Sequence, residues 1–236
     1  MKIAKKSFPT LKISTYISNL NKMKNFILFI SIILCYFLLT YLDKTFITTN
    51  SKIFDFLAKD YPNDVVQNYM ESQKKWWWIN YMATPLLIGI KVLLVAFCLN
   101  FIKLLDLPGL DNIKFSDLIF LTLIGESVFI IAGFYKFVNF YWIDADYSME
   151  TLQTYYPISL LNLRDSISTE KWLAYPLQLV NLFELFYWGI LAWGIWELSE
   201  QKISLPKSLG LTTITYGVGL LFWVGVVSFF ILNAQY

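Results

Sequence analysis

The chain has 236 residues, of which 57% are hydrophobic and only 15% charged, with mean hydropathy +0.53. A soluble chain of this size carries about a quarter charged residues, so lipid is the expected solvent for much of this apolar surface. The net charge is only +2, which gives no reason to expect a nucleic-acid partner, and there is no histidine. That absence excludes Ser-His and Cys-His nucleophile pairs. It also excludes His-ligated zinc, and two cysteines cannot make an all-thiolate site. No metal and no cofactor is expected. Cys35 and Cys98 lie in apolar runs, where cysteine behaves as a small hydrophobe.

Residues 1–25 read as a basic cytoplasmic head, with Lys2, Lys5, Lys6, Lys12, Lys22 and Lys24 and no acidic residue. Residues 26–236 read as one membrane domain. Its first apolar run covers about residues 26–42, near the lower length limit for crossing ~30 Å of hydrocarbon. No small-residue cleavage site follows the run, so it reads as an uncleaved helix rather than a signal peptide. Residues 43–80 form a first outer loop with two short amphipathic pieces. One carries Ile53, Phe54, Phe56 and Leu57; the other starts at Pro62-Asn63-Asp64 and carries Val65, Val66, Tyr69 and Met70. Both are expected at the interface or on the bundle. Trp76, Trp77 and Trp78 then mark a membrane boundary.

Further spans are expected at about residues 81–102, 118–143, 173–198 and 209–232. A Pro108-Gly109 turn joins the second and third, a net-acidic outer loop (residues 144–172) joins the third and fourth, and a polar turn with Lys202 and Lys207 joins the last two. The fold class is therefore all-α: a polytopic membrane bundle of about five transmembrane helices with short interfacial helices in the first outer loop. Ten Lys and Arg fall on the side of the head and seven on the other. That bias places the N-terminus in the cytoplasm and the C-terminus outside. The Lys- and Ile-rich, Arg-poor composition suggests a bacterial source, hence the inner (cytoplasmic) membrane.

Charges deep in a span are expensive and are candidates for function. Three qualify: Lys91, Glu126 and Glu184. Lys91 and Glu126 sit on antiparallel neighbours at similar depth, so an ion pair that neutralises both is expected. Glu184 has no evident cation of its own, so it either shares Lys91 or carries a proton, because burial disfavours the charged form. Together with Asn181, and with Gln178 on nearly the same face, it forms a polar stripe that either ties helices together or lines a polar path. Lys136, near a span end, can snorkel. Gly194, Gly210, Gly217 and Gly225 suggest close helix approach. No paired carboxylate, phosphate loop or arginine cluster accompanies them, so no enzyme is expected.

The stretch NLFELFYWGILAWGIWELSEQKISLPKSLG, residues 181–210, resembles the C-terminal part of Yip1-domain membrane proteins. In that family an asparagine or aspartate with an apolar-aromatic turn opens a span. A glycine follows, here Gly194, then a turn with serine and lysine, here Ser199, Lys202 and Lys207, and then a last span. The chain lacks the long soluble N-terminal region of the eukaryotic members and looks like a bacterial relative, so their binding of small GTPases is not carried over. The resemblance implies a non-catalytic bundle that organises or assists other membrane proteins. The expected partners are the lipid bilayer and another membrane protein or a second copy of the chain. The alternative is a small transporter or channel subunit that uses Lys91, Glu126 and Glu184.

Overall fold

The computed structural model describes residues 22–163 and 169–233. Most of the basic head, the loop residue Arg164 and the last three residues lie outside them. Among the described residues the chain is helical, with one isolated backbone bridge between Ser159 and Asn181 in place of any strand.

Helix α1, Lys22–Leu42, extends through a π-helical turn at Asp43–Ile47. Two short helices follow, α2 (Asn50–Leu57) and α3 (Asn63–Lys75). The Thr49 hydroxyl caps α2 and Pro62 precedes α3. Helix α4, Trp77–Asn100, starts within the tryptophan run, so Trp77 and Trp78 occupy its first turn. Helix α5 is Phe115–Val138 and continues through a π turn at Asn139–Ile143. A short helix α6, Met149–Thr154, lies in the second loop and is capped by Ser148.

From here the structure departs from the expected single span over 173–198. The chain forms two helices, α7 (Lys171–Leu179) and α8 (Leu182–Leu198), separated at Val180 and Asn181. The break has local causes. Pro176 removes one backbone donor. Asn181 is an N-cap whose Oδ1 accepts from the Glu184 backbone N–H at 2.8 Å, so the chain starts a new helix instead of continuing the old one. The second loop satisfies the freed backbone: Leu160 N–H donates to Val180 O at 3.0 Å and Leu182 N–H to Ile158 O at 3.2 Å. Ile158 holds φ +49° to do so, an unusual conformation for a β-branched residue. The last segment is α9 (Leu205–Thr212), a π turn at Thr213–Gly217, and α10 (Val218–Asn233).

Among the described residues, four stretches are long and apolar enough to cross a membrane: Lys24–Ile47, Trp77–Leu105, Phe115–Ile143 and Leu205–Asn233. This is consistent with a multi-pass membrane protein. Helix α8 has 17 residues, at the lower limit for a span. The packing order is α1 on α5, α5 on both α4 and α8, α8 on α9, and α10 alongside α7. Asn25 Nδ2 donates to Ser116 O at 3.2 Å, so α1 and α5 start at the same end of the bundle. We call that end the turn face, because the 106–111 and 199–202 turns also meet there. At Gly109, φ +84°, a Cβ would lie 2.4 Å from Ser199 O, so only glycine lets those two turns touch. The opposite end, the loop face, collects Ile47, Phe140 and Leu152 in one small apolar cluster.

The main core joins α4, α5, α8 and α9 around Leu99, Leu118, Leu121, Leu191 and Ile195. Small residues set its spacing. A Cβ at Gly194 would lie 2.1 Å from Leu121 Cδ1, and at Gly217 2.8 Å from the Trp188 ring. At Gly210 and Gly225 it would meet nothing within 4 Å, so those two glycines bring no helices of this chain together. A pair of substitutions separates these roles. Gly194→Ala overpacks the core and should destabilise by about 1–3 kcal/mol. Gly210→Ala removes backbone freedom in an exposed helix and should be neutral or stabilising by roughly 0.5–1 kcal/mol. Reversible unfolding in mixed detergent micelles measures both, and equal losses would contradict the packing described here.

Candidate functional site

The polar interior is built where α1, α4, α5 and α8 converge. At 1.5 Å per residue, Glu126 lies about 16 Å along α5 from Phe115, and Lys91 about 14 Å along α4 from Asn100. Both helices have those ends at the turn face, so the two side chains meet near mid-height. The Lys91 ammonium is 2.9 Å from Glu126 Oε1 and donates a hydrogen bond to Oε2 at 3.1 Å. Its contact with Oε1 is electrostatic, off the direction of a hydrogen bond. Glu126 is 1% exposed, whereas the Lys91 side chain is 41% exposed, its stem lying along the outside of the bundle.

Aromatic rings enclose the pair. The Lys91 ammonium sits 3.7 Å from the Phe129 ring centre and 5.5 Å from that of Tyr187. A ring face supplies electron density to a cation that has left water, by about 0.5–2 kcal/mol. Tyr36 on α1 lies near Glu126. Tyr187 lies flat on α5 because Gly125 leaves room: a Cβ there would be 2.5 Å from its ring. The Tyr187 hydroxyl is fully buried and has no hydrogen-bond partner among the described residues.

Glu184 stands apart from the ion pair, near the start of α8. Its Oε1 accepts from Trp188 Nε1 at 3.0 Å, one turn along the same helix, and from the Tyr216 hydroxyl at 2.5 Å. Tyr216 belongs to the π turn before α10, so Glu184 ties α8 to the last segment. Asn181 faces the α8 backbone as its cap, and its Nδ2 donates to Gln178 O at 2.8 Å. Gln178 lies across the break in α7 and donates to Thr154 O at 3.2 Å, so the expected polar stripe is divided between two helices.

The second loop reaches this interior. Burial, together with the nearby carboxylates Glu184 and Glu126, pushes the Tyr156 phenol up to about 12. Lys136 secures the loop from α5, donating to the carbonyls of Leu152 and Tyr155 at 2.9 and 3.2 Å. It is therefore tied to protein carbonyls, an arrangement different from the snorkelling expected of it.

Lys91 and Glu126 are thus brought together, with Glu184 on a neighbouring helix, and Asn181 contributes through the backbone. Gly194 and Gly217 lie in close contacts of the bundle, and Gly210 and Gly225 away from them. Sequence reasoning did not select Tyr36, Phe129, Tyr187 or Tyr216, which nothing distinguishes among twenty Phe and fifteen Tyr. Trp188 was legible, because a residue four positions from a buried carboxylate on a helix faces it. No group of three or more acidic or cysteine side chains able to hold a metal occurs among the described residues. Comparison with protein-family models, curated proteins and solved structures returns no match.

The ion pair generates a double-mutant test. Lys91→Met leaves Glu126 buried without its cation and should cost about 3 kcal/mol of unfolding free energy. Adding Glu126→Gln should recover most of that loss, because the uncompensated charge is gone. Unfolding in mixed micelles reads the cycle; additive losses would contradict a direct pair.

Proposed function

We propose that the protein is a non-enzymatic integral membrane scaffold or accessory subunit of a membrane complex, with a Yip1-like C-terminal half. The observation that carries this reading is how the interior charges are used. Lys91 and Glu126 brace α4 against α5, and Glu184 braces α8 against Tyr216. Both contacts join helices, and no group of three or more acidic or cysteine side chains gathers among the described residues. In this reading the α7–α8 segment is a fifth, interrupted span and the N-terminus is cytoplasmic. Helices α2 and α3 rest at the outer interface of a bacterial inner membrane.

The outer surface supports an assembly role. Helix α10 has no buried residue, and Leu221, Phe222 and Phe230 are exposed on it. Lipid or a partner helix covers such a surface, and Gly225 gives a partner backbone room to approach.

A second reading, a small transporter or channel subunit, has one observation in its favour. Interrupted helices place irregular backbone at membrane depth, and transporters use such breaks for ion and substrate sites. Gentle extraction followed by native mass spectrometry distinguishes the two. The scaffold reading predicts a membrane protein, or a second copy, bound in fixed stoichiometry. It also predicts that Glu126→Gln lowers folded yield without abolishing that association. A lone monomer that moves ions or solute in vesicles, with loss of flux in Glu126→Gln, would replace it with the transporter reading.

A further inference from the structure

A groove of about 440 Å³ opens on the side of the bundle between α7, the start of α8 and the α9–α10 pair. Two irregularities border it: Val180 and Asn181 at the helix break, and Thr213 and Gly217 of the π turn. Apolar walls come from Leu179, Ile214, Leu221 and Val224, and the polar wall from Glu184 and Trp188. Its volume falls within the range of small-molecule sites, about 300–1,000 Å³.

The charge in the groove is unbalanced. Among the described residues, Lys91 is committed to Glu126, and Lys136 to two loop carbonyls. Glu184, which lines the groove, has no bonded cation. Both side-chain hydrogen bonds to it end on Oε1, which leaves Oε2 for the groove. The α8 N-terminus offers no competing anion site, because Asn181 already caps it. A low-dielectric slot with an apolar wall and one carboxyl group that has no bonded cation is complementary to a lipophilic cation, whose ammonium would hold that group ionised.

We propose that this groove binds a single-chain lipophilic amine, with its alkyl chain against Leu179, Ile214, Leu221 and Val224 and its ammonium on Glu184. This site goes beyond the accessory-subunit reading and holds whether or not a protein partner exists.

The test uses the full chain in phosphatidylcholine nanodiscs. The probe is hexadecylamine carrying a mid-chain diazirine; the control is hexadecanoic acid with the same photogroup. Cross-links are mapped by mass spectrometry. The expected result is amine labelling confined to residues 176–188 and 213–224 and weak labelling by the acid. Glu184→Gln keeps an acceptor for Trp188 and Tyr216 while removing the charge. It should cut amine labelling about tenfold or more, as loss of a charged hydrogen-bond partner does. Leu221→Trp fills the groove at an exposed position and should cut it similarly. Equal labelling by both probes, labelling outside the groove, or labelling unchanged in either variant would overturn the proposal. So would displacement of the amine by excess phosphatidylethanolamine in place of a single-chain amine.

Discussion

The Lys91–Glu126 ion pair is the constraint on which the bundle depends. An unpaired charge at that height in a membrane costs several kcal/mol, so each residue needs the other. The pair sets the relative height of α4 and α5. Tyr187 and Phe129 can then pack around it, and Gly125 and Gly194 allow α8 and α5 to close to contact. Rotating or sliding one helix by a turn would expose a carboxylate to lipid and drive side chains into Leu121. Polar and steric requirements therefore select the same register, as expected when several levels of a sequence agree.

The break between α7 and α8 is the second organising feature, and it depends on the loop that fills it. Backbone groups freed at a helix break and buried need protein partners. Here Ile158 and Leu160 supply them, with Ile158 in a left-handed conformation. Lys136 then anchors the same loop from α5. The interruption is thus a built joint, and the side groove is its geometric consequence.

Much of the fold was legible in the sequence because it rests on hydropathy and length. The apolar runs near 81–102, 118–143 and 209–232 correspond to long helical stretches, each starting a few residues earlier than the run. The depths of Lys91 and Glu126 follow from counting along two helices joined by a short turn. The helix break was less visible. Pro176 and the Asn181-x-x-Glu184 pattern signal a helix start, yet the mostly apolar composition on either side favours a single span. Gly210 and Gly225 show the limit of reading small residues as contacts, because composition does not say which face of a helix meets a neighbour. The aromatic partners of the charges were not legible, since tertiary packing selects them from many similar residues.

The placement of the ion pair is open to direct observation in lipid. Magic-angle-spinning NMR with ¹⁵N-labelled lysine side chains and ¹³C-labelled glutamate carboxyls reports nitrogen–carbon proximity. The structure predicts a rigid Lys91–Glu126 coupling that corresponds to a contact within about 4 Å and disappears in Glu126→Gln, while the exposed Lys202–Glu200 pair keeps its own signal. Absence of that coupling in the unmodified protein, or its survival in the variant, would contradict the account.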